Sequence, residues 1–314
     1  TQPNTLFPYT TLFRSEDYVS PALWNGSARR LTRRCWPGPV VLQFSTASSG
    51  SLVDEWPETT RGALSSHGNL RLGCSGDAVL RELARELPWP LVSAAASRER
   101  PDERFESAEA VQQRCGGSLA LIADAGKPRY QDRSTVVQIT GDGWDLLEEG
   151  IAGRRTVAQL ASEIVMFVCT GNTCRSPMAE AMFRKMLSER LNCSEEELIE
   201  RGYLVVSAGL ATTAGMPASE HSVSLMREEG VDLTGHHSQP ATPELLGIAD
   251  LIVTMTRSHR DSILARFPAL SDRVRVLSAT GGDVSDPYGG NREEYQRCRD
   301  EIREHLQQLL AALK

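Results

Sequence analysis

From Ile164 onward, short apolar runs alternate with segments of helical period, and no other feature of the sequence constrains the fold as tightly. "IVMFVCT", "YLVVSAG", "ADLIVTMT" and "RVRVLSA" read as strands. Between them, "PMAEAMFRKMLSERL", "SEHSVSLMREEG" and "RSHRDSILARF" read as helices. The closing segment "REEYQRCRDEIREHLQQLLAAL" sets Cys298, Ile302, Leu306, Leu309 and Leu313 at helical spacing. Strands that alternate with helices imply an α/β fold, an open parallel sheet with helices on both faces. Ligands of such sheets bind at the carboxyl ends of the strands. The segment "CTGNTCRSP", Cys169 to Pro177, falls there, between the first strand and the first helix of this half.

A loop at a helix N-terminus presents unpaired N–H groups and the positive end of the helix dipole to an anion. Gly171 takes positive φ freely and Asn172 tolerates it, so the backbone is expected to fold into a nest for phosphate oxygens. Arg175 adds a planar, permanently charged clamp on the same anion. The same field favours the thiolate form of a cysteine at the start of the loop, Cys169, and Ser176 offers that thiolate a hydrogen bond. A thiolate facing a bound phosphoryl group points to covalent catalysis through a phosphocysteine. A second group must then protonate the leaving atom and activate water. "DPYGG" supplies Asp286 on a turn after the last strand, with Tyr288 available to line the entrance.

Residues 164–314 resemble the low-molecular-weight protein phosphatase family. The resemblance is carried by the Cys-x5-Arg-Ser loop after a strand, by "SAG" at Ser207 to Gly209, and by Asp-Pro-aromatic before the last helix. It implies that Cys169 is the nucleophile, Arg175 the phosphate clamp and Asp286 the acid and then the base. Thr170, Gly171, Asn172, Thr173, Cys174 and Ser176, with Tyr288, would line the phosphate and substrate. Threonine at position 173 resembles the protein-arginine phosphatase branch, whereas tyrosine-directed members usually carry a bulky aliphatic residue there. Phosphoarginine on proteins is therefore the expected substrate, with phosphotyrosine as the alternative. Cys174 is either a packing residue or the partner of Cys169 in a reversible disulfide. Arsenate reductases share the fold and loop but need a later close pair of cysteines, which the sequence lacks. His236 and His237 read as turn residues at the surface.

Composition narrows the rest. Hydrophobic residues make up 40% and charged residues 24%, as in globular proteins, and no apolar run approaches the ~20 residues that span a bilayer. The net charge of −7 argues against a basic nucleic-acid module. The seven cysteines are odd in number, scattered and without CxxC spacing, which favours a reducing cytoplasm and no zinc site. No metal or cofactor is expected for the phosphatase.

The chain opens on Thr1, and "TLFPYTTLFRS" has neither helical nor strand period, so residues 1–15 are expected to be non-native or disordered. Residues 16–158 are expected to form one domain and 159–314 a second. Within the first, "DAVLRELAREL" reads as a helix with Val79, Leu80, Leu83 and Leu87 on its apolar side. "WPGPVVLQF" and "STVVQIT" read as strands, and "SLALIADAG" as a buried strand and turn. In this order, "CWPGPVVLQF", "LVSAAAS", "SLALIADAG" and "DRSTVVQIT" resemble the YrdC/Sua5-like domain, an α/β domain here shorn of its N-terminal section. Active members make threonylcarbamoyl-AMP from threonine, bicarbonate and ATP. The resemblance implies nucleotide contacts at Arg71, Ser93 and Ser134. The family's Ser-x-Asn is replaced by "SAAAS", with Ala95 at the asparagine position. The domain is a truncated synthase, a degenerate module that binds a nucleotide or RNA (double-stranded RNA included), or a passive fusion partner.

Overall fold

The computed structural model describes residues 5–7, 18–45, 52–65, 68–87, 90–94, 105, 107–127, 129–130, 132–141 and 143–313. The chain divides into two units, Thr1–Ala161 and Ser162–Lys314, three residues beyond the change of pattern in the sequence.

The first unit contains β1 (Thr5–Phe7), α1 (Gly26–Cys35), β2 (Val40–Ser45), α2 (Glu58–Leu64), β3 (Asn69–Gly73) and α3 (Ala78–Glu86). It continues through β4 (Leu91–Ser93), α4 (Ala108–Cys115), β5 (Thr135–Ile139), β6 (Trp144–Glu148) and α5 (Arg154–Ala161). Its mixed sheet has the order β4-β1-β3-β2-β5-β6. Alternate residues Val40, Leu42, Phe44, Leu70, Leu72, Val137 and Ile139 pack with Ala28 and Leu31 of α1 and Val157 and Ala161 of α5. The opposite face carries a polar row: Arg71, Gln43 and Gln138 stand in register across three strands.

Three expectations change here. Thr5–Phe7 of the opening segment is a strand, because it pairs parallel with β3 and antiparallel with β4. The rest of residues 1–15, like Ala95, lies outside the described residues. The segment "SLALIADAG" is neither strand nor buried: a 3-10 turn covers Gly116–Ser118, and Leu121 is 83% exposed. Among the described residues no strand pairs with it, and Asp124 Oδ1 accepts from Gly126 N, closing a local turn instead of a ladder. The helix α3 forms behind its Asp77 cap, but Val79, Leu80 and Leu83 are exposed and Ala84 is its buried residue. Capping and period are local properties; burial needs a cover that the described residues do not provide.

The second unit runs β7 (Glu163–Cys169), α6 (Arg175–Leu191), β8 (Tyr203–Gly209), α7 (Glu220–Glu228), α8 (Pro243–Ile248), β9 (Leu251–Thr254), α9 (Arg257–Arg266), β10 (Val274–Val276) and α10 (Arg292–Ala312). All strands are parallel, in the order β10-β9-β7-β8. The strand β7 is central and buried on both faces from Ile164 onward, which is why it is apolar from there and does not alternate. Val165, Phe167 and Cys169 face a core built with α6, α7 and α10. Ile164, Met166 and Val168 face a second core with Leu246 of α8 and Ile263 of α9. From β7 the chain moves first to β8 on one side and then to β9 on the other. The carboxyl end of β7 is therefore the point where strand order reverses and a crevice opens.

Candidate active site

The loop that follows β7 occupies this crevice. Cys169 is paired with Gly209 at the end of the strand, and α6 begins at Arg175. The N-cap of α6, Cys174, makes no side-chain cap hydrogen bond, so the first N–H groups of the helix remain turned to the loop. The positive φ falls on Asn172 (φ 54°) and not on Gly171. Side-chain hydrogen bonds explain the difference, because they hold Asn172 in a conformation that glycine would adopt without them. Asn172 is 0% exposed. Its Nδ2 donates to Ser176 Oγ (2.9 Å) and Ser207 Oγ (2.8 Å). Its Oδ1 accepts from Gln239 N (2.9 Å), and its carbonyl accepts from His236 Nε2 (2.8 Å).

Cys169 is buried with its sulfur at the floor of the loop. Ser176 Oγ lies 3.0 Å from Sγ, and Asn172 N donates to it at 3.2 Å. Arg175, also buried, extends across the loop: one nitrogen meets Asp286 Oδ2 at 2.6 Å and another meets the Val284 carbonyl at 3.4 Å. Asp286 is half-exposed, and its Oδ1 accepts from Tyr288 N (3.2 Å). Tyr288 projects into solvent, 80% exposed. A thiol, a guanidinium and a carboxyl from two distant stretches of chain thus meet at one strand end. The Thr173 hydroxyl lies 3.6 Å from Cys174 Sγ, and Thr173 is half-buried on the loop's rim.

Cys174 points away from the loop, with Sγ 3.2 Å from Tyr295 OH. Burial and that contact push the Tyr295 phenol up to about 12, so it keeps its proton at neutral pH. Burial likewise pushes the Cys298 thiol up to about 12. Glu180 of α6 accepts from Ser207 Oγ (2.6 Å), and burial raises its carboxyl above the ordinary range.

Two histidines complete the site, and the sequence reading missed both. His236, expected as a surface turn residue, donates to the Asn172 carbonyl and so supports the left-handed residue of the loop. Its neighbour His237 is exposed. His259 of α9 is 9% exposed and bonds Thr170 Oγ1 through Nε2 (2.9 Å). Ser238 Oγ donates to Thr213 O, and Gln239 Nε2 donates to the carbonyl of Ser207, whose hydroxyl meets Asn172.

Gly209 of "SAG" has a steric reason to be glycine. A Cβ there would sit 2.6 Å from Thr170 O and 3.1 Å from Asn172 Cβ. Gly209→Ala is expected to push the loop off its geometry, lowering kcat/KM for an aryl phosphate about 10- to 100-fold and stability by about 1–3 kcal/mol. Steady-state kinetics with a thermal melt checks it; an unchanged kcat/KM would show that the loop yields without consequence.

In the first unit, the residues matched to nucleotide contacts lie on or beside the mixed sheet. Arg71 is buried, its Nε donating to Gln43 Oε1 (2.9 Å) and Nη2 to Glu148 Oε1 (2.5 Å). Ser93 shares its row of the sheet through Thr5, and Ser134 lies just before β5, outside that row. Among the described residues, no group of three or more His, Cys, Asp or Glu is placed to hold a metal ion, and no helix is long and apolar enough to cross a membrane.

The Sua5/YciO/YrdC family model, described as telomere recombination, matches residues 8–150. The protein-arginine-phosphatase of Bacillus subtilis is 41% identical over 155 residues, covering 48% of this chain and 96% of that protein. A probable low molecular weight protein-tyrosine-phosphatase, EpsP, of Ralstonia solanacearum is 35% identical over 125 residues, 40% of this chain and 77% of that protein. An arsenate reductase of Bacillus cereus is 35% identical over 142 residues, 45% of this chain and 90% of that protein. The family model for low molecular weight phosphotyrosine protein phosphatases matches residues 164–314, and through them the chain belongs to that family of protein phosphatases.

Proposed function

We propose that the second unit removes phosphoryl groups from protein phosphoarginine through a phosphocysteine. Arg175 and the loop N–H groups bind the phosphoryl oxygens. The Cys169 thiolate attacks phosphorus; the S–P bond forms as the P–N bond to the guanidino nitrogen breaks. Asp286 gives its proton to that nitrogen, and arginine leaves. Asp286, now a carboxylate, takes a proton from water, whose oxygen attacks phosphorus. The S–P bond breaks, and inorganic phosphate and the thiolate are released.

The observation that carries the arginine reading is Thr173, half-buried on the rim of the loop. A threonine leaves room for a planar guanidino group and offers it a hydroxyl; a leucine or isoleucine offers neither. The identity to a protein-arginine-phosphatase over nearly its whole length supports the same reading. Phosphotyrosine is the second reading, favoured by exposed Tyr288 beside Asp286, an aromatic wall on which a phenyl ring could stack.

Turnover of a phosphoarginine peptide and a phosphotyrosine peptide, by the wild type and Thr173→Ile, tests it. The wild type is expected to prefer phosphoarginine, and Thr173→Ile to reverse or erase the preference by about 10-fold or more. A wild type that prefers phosphotyrosine would overturn the arginine assignment.

A further inference from the structure

The imidazole of His259 is a buried titratable group, bonded to the loop, that the reaction above does not use. Its two nitrogens each meet a threonine hydroxyl: Nε2 meets Thr170 Oγ1 at 2.9 Å and Nδ1 meets Thr256 Oγ1 at 2.8 Å. Thr256 is the N-cap of α9, and its Oγ1 also accepts from His259 N (3.2 Å). The side chain therefore ties the first residue after Cys169 to the start of another helix. Thr170 is pinned on its other side too, since its carbonyl accepts from Ala211 N (3.0 Å).

We propose that His259 is a positioning residue for the phosphate loop, and that it takes up a proton from solvent when a dianionic phosphoryl group binds there. The proposal rests on the reading of the loop as a phosphoryl site.

Two features support it. First, both partners are hydroxyls, and a hydroxyl can donate or accept. With a neutral ring, Thr256 Oγ–H donates to Nδ1 while Nε2–H donates to Thr170. With a cationic ring, both nitrogens donate and the Thr256 hydroxyl turns its hydrogen away. Neither state requires the ring to move or leaves a ring nitrogen unpaired. Second, the charges around the ring are those that an anion alters. Burial, and the Arg175 charge after it, hold the His259 imidazole below the usual histidine range, against a smaller upward pull from Asp286 and Asp283. Arg257 on its own helix is already neutralised by Asp283. On the loop side, the charge that acts on it is that of Arg175. A dianion held on Arg175 cancels that guanidinium's repulsion and adds attraction of its own, so the imidazole is held more firmly protonated in the complex than in the free protein. Between its values in the two states, the ring is neutral without the anion and cationic with it. Binding then takes up a proton and tightens as pH falls through that window.

The test is isothermal titration calorimetry with sulfate, which does not itself titrate near pH 6.5. It uses the full chain carrying Cys169→Ser, so that the Cys169 thiol cannot contribute. Titration in buffers of different ionisation enthalpy gives the proton count. Uptake on the order of half a proton per sulfate is expected. It should fall below about a tenth when His259→Gln is added, with sulfate still bound, and persist when Asp286→Asn is added instead. Uptake that survives His259→Gln, or vanishes with Asp286→Asn, overturns the proposal. So does sulfate binding with no uptake at all, while leaving the phosphatase reading intact. If sulfate does not bind, the reading of the loop as an anion site fails, and the proposal with it. Should His259→Gln not fold, nitrogen NMR of the His259 ring in the Cys169→Ser protein decides. Sulfate should move the bare ring nitrogen to a protonated signal, so that both nitrogens read as protonated, and an unmoved pair of signals overturns the proposal.

Discussion

Replacing Cys169 by serine is expected to abolish turnover, lowering kcat by on the order of 10^4-fold or more, while sulfate or phosphate still binds within about 10-fold of its wild-type affinity. The two halves of this expectation have separate physical sources. Chemistry is lost because the attacking atom changes from a thiolate to an alcohol with no adjacent base. The hydrogen-bond partners of Cys169 Sγ are Ser176 Oγ and Asn172 N, and no imidazole is among them. Binding persists because the cradle is made by other groups: the loop N–H groups, the uncapped start of α6 and Arg175. The substitution is also small and buried, so the loop is expected to keep its shape, with Ser176 and Asn172 N finding an oxygen in place of sulfur. Removing a negative charge from beneath a bound dianion favours binding rather than opposing it. Stopped turnover with anion affinity kept is the signature of a nucleophile. If Cys169→Ser turned over at the wild-type rate, the covalent route would be wrong; if it lost both activity and anion binding, the thiol would be holding the loop together.

How much of this was legible in the sequence depended on how far along the chain each cause reaches. The strand and helix alternation of the second half is a local pattern, and it gives the parallel sheet directly. The Cys-x5-Arg loop is equally local, because a strand, a turn and a helix start lie within a few residues of one another. Asp286 was found through a motif, although its partner Arg175 is 111 residues away. His236 and His259 were missed for the converse reason. Their hydrogen bonds to the loop span 64 and 89 residues, and "GHHSQ" and "RSHRD" carry no periodic or spacing signal of such a contact. The positive φ was placed partly on Gly171 from intrinsic preference, whereas in the structure it falls on Asn172, whose side chain is fixed by groups from β8 and the segment before α8. In the first unit the same limit appears as burial: α3 was read correctly as a helix, but its apolar side was assigned to a core that the described residues do not build.

Asp286→Asn is expected to lower kcat by about 10^2- to 10^4-fold and to lower KM with it. The fall in kcat follows from the loss of a proton donor at the leaving atom. It should therefore depend on that atom. An aryl phosphate whose phenolate leaves readily needs little protonation and should lose least; a phosphopeptide with a poor leaving group should lose most. The fall in KM has a different origin, visible in the ligand-free geometry. Asp286 Oδ2 stands 2.6 Å from the guanidinium of Arg175, so the carboxylate competes for the group that must hold the phosphoryl oxygens. Because Asp286 is half-exposed, water screens that pair and the competition is modest, which bounds the gain in affinity to a few-fold. An asparagine keeps the shape and can still accept from Tyr288 N, but it has no charge to offer Arg175. The two effects together separate this role from a structural one: a turn residue whose loss merely loosened the loop would raise KM and slow all substrates alike. A series of substrates graded by leaving-group basicity, run on the wild type and Asp286→Asn, reads both. A steeper dependence on leaving group in the variant, with KM reduced, assigns the acid to Asp286. Equal losses across the series, or a raised KM, would assign the proton to another group and leave Asp286 as an anchor for Arg175.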